Sequence, residues 1–165
     1  MSRRKAQYPS PGRIVDAGGY RLNLQGQSQP AVMRDLGDKR TSGALALVVV
    51  PPGRLSDGWR ALLLATPQIA DVRQVDDASS VLERVEALGP DLVLLDTEPL
   101  GERAWAVLNQ IKTQAPHCRC IALICSAQHQ PDAQAAGADE VLIKGFPAGR
   151  LSAAVERLLP EQKAR

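Results

Sequence analysis

Three short segments of the chain are apolar at almost every position. They are ALALVVV at residues 44–50, DLVLLD at residues 91–96 and RCIALIC at residues 119–125. A strand with one face in water alternates apolar and polar side chains, so an uninterrupted apolar run indicates a strand that is covered on both faces. Such strands are typical of parallel sheets, because the crossover connections place helices on each side. The runs therefore predict an α/β domain.

Helical segments separate these runs, and two shorter strands complete the pattern. We predict strands at residues 44–50, 70–75, 91–96, 119–125 and 141–144, and helices near residues 55–65, 78–88, 101–113, 133–136 and 148–159. Asp76 and Asp77 precede the second helix and are predicted to cap it. Five strands that alternate with five helices predict βαβ units with right-handed crossovers.

The chain divides by composition into an arm, a domain and a short tail. Residues 1–43 are rich in Gly, Pro, Ser and Gln, and we expect them to be largely irregular, with a possible short hairpin over residues 13–24. This arm carries eight Lys or Arg residues and three Asp residues, whereas the remainder carries twelve basic and fifteen acidic residues. We predict one domain over residues 44–160 and a tail at residues 161–165.

Polar side chains follow three of the predicted strands. In an open parallel sheet, ligands bind at the carboxyl ends of the strands. Val50 and Pro51 follow the first strand, Asp96 ends the third, Ser126 follows the fourth and Lys144 ends the fifth. An acid, a hydroxyl and an amine on three neighbouring strands are therefore expected to converge at one edge of the sheet.

Residues 44–160, which carry this acid, hydroxyl and amine at the strand ends, resemble the receiver domain of bacterial response regulators, the CheY-like superfamily. The motifs that carry the resemblance are DLVLLD followed by Pro99 and Gly101, then ICSA, GADEVLIK and the closing amphipathic helix. The resemblance implies a flavodoxin-like, doubly wound five-stranded parallel sheet in the order 2-1-3-4-5, with helices on both faces. It also implies that Asp96 matches the phosphoacceptor, and that Ser126 and Lys144 match the residues that contact the phosphoryl group.

The sequence departs from the family at the residues that hold magnesium. Receiver domains bind Mg²⁺ with two acids at the end of the first strand, and Val50 and Pro51 stand at those positions here. Neither side chain can bind a cation, so we expect weak or absent Mg²⁺ binding and no other cofactor. Glu98 is a possible compensating acid, because it lies two residues after Asp96. Asp57 is expected to lie too far away.

Further departures concern the response to phosphorylation. The aromatic residue that the family carries in the fifth strand is replaced by Val141, and Gly145 follows Lys144 where a cis-proline is common. Ser126 and Lys144 are also about one helical turn closer in sequence than is usual, so the fourth helix is predicted to be short. The family's relay is therefore not expected to operate in its usual form.

A metal centre and an enzyme active site find little support. His117, Cys118, Cys120 and Cys125 are clustered, but Cys125 is predicted to face away from the other two cysteines and no second ligand pair follows. Buried, reduced cysteines explain the cluster better, and His129 is predicted to be a loop residue. No phosphate-binding loop, paired carboxylates or Ser-His-Asp arrangement is recognisable. We therefore predict neither a metal site nor catalytic residues.

The combined interpretation is a non-catalytic pseudo-receiver that acts through protein partners, without conventional Mg-dependent phosphotransfer. One alternative is a working phosphoacceptor in which Asp96 is phosphorylated. A second is association with nucleic acid through the basic arm, whose relevant residues are Arg3, Arg4, Lys5, Arg13 and Arg21. A homodimer through the helix four–strand five–helix five face is also expected from the resemblance. With no apolar run long enough to span a membrane, and few, clustered cysteines, the cytoplasm is the expected location.

Overall fold

The computed structural model describes residues 21–22, 28–29, 43–51 and 53–160. The chain forms two compact units, residues 1–40 and 41–165. In the first, Arg21–Leu22 pairs in antiparallel fashion with Ser28–Gln29, a partner that the sequence did not indicate. Apart from Arg21–Leu22, the predicted hairpin over residues 13–24 lies outside the described residues, as do most of the basic arm and the predicted tail.

A five-stranded parallel sheet forms the centre of the second unit. Its strands are β1 Ala44–Val49, β2 Ile69–Val75, β3 Leu92–Asp96, β4 Arg119–Ile124 and β5 Glu140–Ile143, in the order β2-β1-β3-β4-β5. The helices are α1 Arg54–Leu64, α2 Val81–Leu88, α3 Arg103–Gln114, α4 Gln130–Ala135 and α5 Ala148–Leu158. This architecture confirms the predicted fold and strand order. No helix in the described residues is long and apolar enough to cross a membrane.

Both faces of the sheet are covered, as the apolar runs predicted. Leu47 and Val49 of β1 pack into the core under α2, α3 and α4, whereas Ala46 and Val48 pack into the core under α1 and α5. Successive side chains of a strand point to opposite faces, so every position of β1 must be apolar. Burying a Val or Leu side chain fully contributes about 1.5–3 kcal/mol. The two cores therefore hold the strand ends in fixed register.

A short 3₁₀ turn precedes both α2 and α4, and α2 therefore begins at Val81, later than the predicted residue 78, whereas α4 begins at Gln130, earlier than the predicted residue 133. The carboxylate of Asp77 accepts a hydrogen bond from the backbone N–H of Ser79 (3.1 Å) and caps the turn over residues 78–80. The turn over residues 127–129 precedes α4 in the same way. As a result α4 is a six-residue helix. The predicted shortening of the fourth helix is therefore present.

One polar network ties α3 to the edge of the sheet. The carboxylate of Asp139 accepts hydrogen bonds from the backbone N–H of Cys120 (2.8 Å) and from Lys112 Nζ (2.9 Å), and it also pairs with Arg119 (3.3 Å). Burial opposes ionisation of Asp139, but these partners outweigh it and hold the pKa of the carboxyl below its usual range. The ionised form is therefore the one that stabilises the fold.

We expect Asp139→Asn to lower the free energy of unfolding by about 1–3 kcal/mol at neutral pH, because the variant leaves Lys112 and Cys120 with a weaker acceptor. A lowered pKa stabilises the folded state above the unfolded pKa of about 4, and this stability is lost as pH falls through the folded value. Urea unfolding of both proteins at pH 7 and pH 3 should therefore show a difference that shrinks in acid.

Asp71→Asn is the matched control. Asp71 pairs with Arg73 at the surface, where both side chains are about half exposed (46% and 62%). Exposed pairs of this kind contribute about 0–1 kcal/mol. Equal losses in the two variants, or a loss for Asp139→Asn that persists at pH 3, would contradict the role given to the network.

Candidate functional site

The carboxyl ends of the strands bring the predicted acid and amine together. Asp96 is the last residue of β3, between β1 and β4, and its side chain is only 3% exposed. Just beyond it, the Thr97 hydroxyl donates a hydrogen bond to the carbonyl of Leu123 (2.8 Å) and extends the contact with β4. The backbone N–H of Glu98 then donates to Asp96 Oδ1 (3.2 Å). This turn places Glu98 beside Asp96.

Lys144 reaches both carboxylates. Its Nζ atom lies 2.7 Å from Asp96 Oδ1 and 2.7 Å from Glu98 Oε2. The Lys144 backbone N–H donates to the carbonyl of Ile124 (2.8 Å), which fixes the residue just past the end of β5. Gly145 follows with φ = 94°, a left-handed conformation that favours glycine. The chain can therefore turn away immediately after the lysine.

The charges of this group stabilise one another. Burial disfavours the Lys144 ammonium, but its hydrogen bonds to Asp96 and Glu98 outweigh burial and raise the pKa of the lysine. The hydrogen bond from Lys144 lowers the pKa of Glu98, and a second one from the Cys125 thiol acts in the same direction. The Glu98 carboxylate in turn raises the pKa of Cys125. We call Asp96, Lys144 and Glu98 the ion-pair triad.

Ser126 has a local hydrogen-bonding role in this structure. Its hydroxyl oxygen accepts a hydrogen bond from the backbone N–H of Gln128 (3.3 Å), so it caps the turn that precedes α4. A hydroxyl can accept and donate at the same time. The predicted contact between Ser126 and a phosphoryl group therefore stays a prediction.

The two positions where the family carries acids have different surroundings. Val50 is 4% exposed and belongs to the core under α1 and α5. Pro51 is exposed and lies at the mouth of a cleft beside Asp96. Neither side chain offers an oxygen to that cleft.

This cleft, which we call the Asp96 cleft, has a volume of about 320 Å³. It is lined by Val49, Val50, Pro51, Asp76, Asp77, Ala78, Asp96, Pro99, Leu100 and Arg103. Sequence reasoning treated Asp76 and Asp77 only as helix caps and did not identify Arg103. The signal that was available is that the two acids directly follow β2, whose carboxyl end lies at the same sheet edge.

Both of these acids accept hydrogen bonds from residues that are close in sequence. The Asp76 carboxylate accepts a hydrogen bond from Gln74 Nε2 (2.8 Å). Asp77 accepts hydrogen bonds from the hydroxyl and the backbone N–H of Ser79, and these bonds lower its pKa. Throughout the part of the chain that the structure describes, no three His, Cys, Asp or Glu side chains are arranged to hold a metal ion.

The cysteines separate into two environments. Cys118 and Cys120 are fully buried in the core under α3 and α4, as predicted. Cys125 is exposed, so the prediction of a buried residue is wrong there. The reason is that Cys125 lies one residue beyond β4 and faces Glu98 instead of the core.

A second cleft of about 320 Å³ lies beside Glu98, and we call it the Trp105 cleft. Its lining residues are Thr97, Glu98, Gly101, Glu102, Trp105, Cys125 and His129. The ring of His129 lies 6.0 Å from that of Trp105, at a tilt of 35°. Sequence reasoning missed this cleft, because Trp105 is in α3 and His129 precedes α4.

Solved structures share this fold. A pilus assembly-related protein from Burkholderia pseudomallei is 20% identical, with a TM-score of 0.65 over 77% of this chain and 97% of that one. Chemotaxis protein CheY4 from Vibrio cholerae is 17% identical, with a TM-score of 0.62 over 71% and 99% of the two chains. NtrX from Brucella abortus is 29% identical, with a TM-score of 0.62 over 71% of this chain and 27% of that one.

A comparison with family models and with curated proteins completes the assignment. No curated protein matches the sequence. The family model for the response regulator receiver domain matches residues 55–156, which include Asp96, Ser126 and Lys144. Together with the strand order and the acid and amine at its edge, this match shows that the chain belongs to the response regulator receiver domain family.

Proposed function

We propose that residues 44–160 are a pseudo-receiver, a signalling module that acts through protein–protein contacts without conventional Mg-dependent phosphotransfer. The observation that carries this proposal is the absence of acids at positions 50 and 51, where Val50 is packed in the core and Pro51 has no side-chain donor. Lys144 Nζ, 2.7 Å from carboxylate oxygens of both Asp96 and Glu98, is the cation beside the site. The positive charge that Asp96 needs is thus supplied by the chain itself.

The donors around Asp96 do not suit a magnesium ion. Mg²⁺ requires near-octahedral oxygen ligation, and in phosphoryl transfer the ion bridges oxygens and neutralises their developing charge. Val50 is packed in the apolar core and Pro51 has no side-chain donor. Asp76 and Asp77 line the same cleft, but no three ligating side chains among the described residues are arranged to hold a metal ion. Asp96 is therefore left as the one acid at the expected position.

Glu98 is better explained as a partner of Lys144 than as a replacement ligand. Its side chain is 63% exposed, and its Oε2 atom is bound to the lysine. Recruiting the other carboxylate oxygen of Glu98 to a metal would place the metal cation next to Lys144. The metal ion and the nearby Lys144 ammonium would repel each other, which further weakens the binding of a divalent ion.

The α4–β5–α5 face is a candidate surface for partner contacts. The α4–β5–α5 face exposes Ile143, whose side chain is 43% accessible, and this supports its use as a contact surface. The homodimer predicted through this face stays a prediction.

Three free cysteines suit a reducing compartment such as the cytoplasm, where we propose that the domain works.

The proposed function makes a prediction about phosphorylation. We expect the protein, incubated with acetyl phosphate and Mg²⁺, to show no stoichiometric mass gain that hydroxylamine reverses, because the attacking carboxylate lacks a bound divalent ion. Intact-mass spectrometry makes the measurement, with Asp96→Asn as the blank. A hydroxylamine-sensitive phosphate adduct on the unmodified protein that is absent from Asp96→Asn would establish a working phosphoacceptor instead.

A gain-of-function variant provides the positive control. Replacing Val50 and Pro51 by Asp restores acids at both positions, and we expect the double variant to acquire Mg²⁺-dependent phosphorylation of Asp96. Val50 is buried, so the variant's circular dichroism must first be shown to match that of the parent. A folded variant that gains nothing would mean that the missing acids are not what limits the chemistry.

A further prediction concerns the stability that Lys144 provides. The change Lys144→Met leaves the buried Asp96 carboxylate without its cation, and we expect the free energy of unfolding to fall by about 3 kcal/mol. Adding Asp96→Asn to that variant should recover part of the loss, because the uncompensated charge is removed. Urea unfolding of the two single variants and the double variant gives the coupling energy. Additive losses would contradict a structural ion pair.

A further inference from the structure

We propose that the Trp105 cleft is a docking site for an arginine side chain of a partner protein. The inference deepens the proposed function and rests on it, because it assumes that the domain works through protein contacts. It names the chemistry of the contact and places it at a surface distinct from the α4–β5–α5 face. The site lies between the start of α3 and the turn that precedes α4.

The cleft has an aromatic wall and room for a side chain. Its volume of about 320 Å³ is enough for the end of one long side chain to enter. Trp105 is half-buried and is packed against the core, which fixes the indole ring. Thr97, another lining residue, is anchored by its hydrogen bond to Leu123. These contacts preorganise the cleft for a ligand.

The charge of the cleft is negative. Glu98 and Glu102 are the charged residues of the lining, which contains no Lys or Arg. Glu98 is paired with Lys144, but Glu102 is exposed and its side chain makes no hydrogen bond or ion pair with another described residue. Glu102 therefore supplies most of the attraction for an incoming cation. Anionic ligands such as phosphates are disfavoured here by the same charges.

A guanidinium group combines the two features. It stacks on the face of an aromatic ring, and its fork of N–H donors pairs with a carboxylate. A lysine ammonium can pair with Glu102 but cannot stack as a plane, so it fits the cleft less well. A metal ion is not the indicated ligand, because no three ligating side chains in the described residues converge. Arginine is therefore the cation that this cleft selects.

Glu98 connects the cleft to the ion-pair triad. The same carboxylate lines the Trp105 cleft and binds Lys144 Nζ at 2.7 Å. An arginine in the cleft competes with Lys144 for Glu98, so partner binding shifts the balance of charge around Asp96. The pseudo-receiver thus has a physical route from its docking surface to its inherited site.

The test is a titration with a short, capped peptide that carries one arginine between glycines. The indole N–H signal of Trp105 is followed by NMR, and the variant Trp59→Phe, which removes the second of the chain's two tryptophans, is used to assign it. We expect saturable shifts, and binding about tenfold weaker when citrulline replaces the arginine, because the cation–π contact and the ion pair are both lost. A lysine peptide should bind with intermediate affinity.

The matched variants are Glu102→Gln and Glu156→Gln. Both glutamates are exposed, but Glu156 lies on α5, away from the cleft. We expect Glu102→Gln to lower the affinity for the arginine peptide about fivefold. We expect Glu156→Gln to leave this affinity unchanged. Each of three results would overturn the proposal: the two variants bind the arginine peptide with equal affinity, the citrulline peptide binds as tightly as the arginine peptide, or the Trp105 signal shows no saturable shift.

These outcomes are separable from the proposed function. Phosphorylation of Asp96 with retained arginine binding would remove the pseudo-receiver assignment and leave the docking site intact. Absence of both phosphorylation and arginine binding would leave the assignment in place and remove the docking site. The two experiments report on different atoms, the Asp96 carboxylate and the Trp105 indole.

Discussion

A carboxylate that is almost fully buried at the edge of a parallel sheet has to be neutralised, and the arrangement around Asp96 follows from that requirement. An isolated buried charge is costly, so a cation must stand beside it. In this chain the cation is Lys144, fixed at the end of β5 by its backbone hydrogen bond to Ile124. Because the lysine is covalently part of the fold, Asp96 has a cationic partner that does not depend on a bound metal ion.

Glu98 extends this arrangement towards the surface. It accepts from Lys144 on one side and lines the Trp105 cleft on the other. The turn that carries Glu98 is set by backbone and hydroxyl hydrogen bonds to Asp96 and Leu123. In the proposed pseudo-receiver, Glu98 would link the central site to the docking site without phosphorylation, because it contacts Lys144 and also lines the Trp105 cleft.

The sequence was sufficient for the fold, because β1, β3 and β4 are apolar on both faces and parallel strands end at one edge. The same geometry predicted that Asp96 and Lys144 would meet. It could not predict which way side chains turn beyond the strands: Glu98 faces Lys144, Ser126 caps a turn, and Cys125 is exposed. The two clefts were also missed, because Arg103 and Trp105 reach the edge only through the packing of α3.

The most direct test of the account is a calorimetric titration of the protein with Mg²⁺ at neutral pH and low ionic strength. If Lys144 already neutralises Asp96 and too few oxygens remain, the heats will be those of dilution, with no saturable isotherm at millimolar concentrations. One-to-one binding with a sub-millimolar Kd that disappears in Asp96→Asn would contradict the account, because it would place a divalent ion where the chain is argued to supply its own cation.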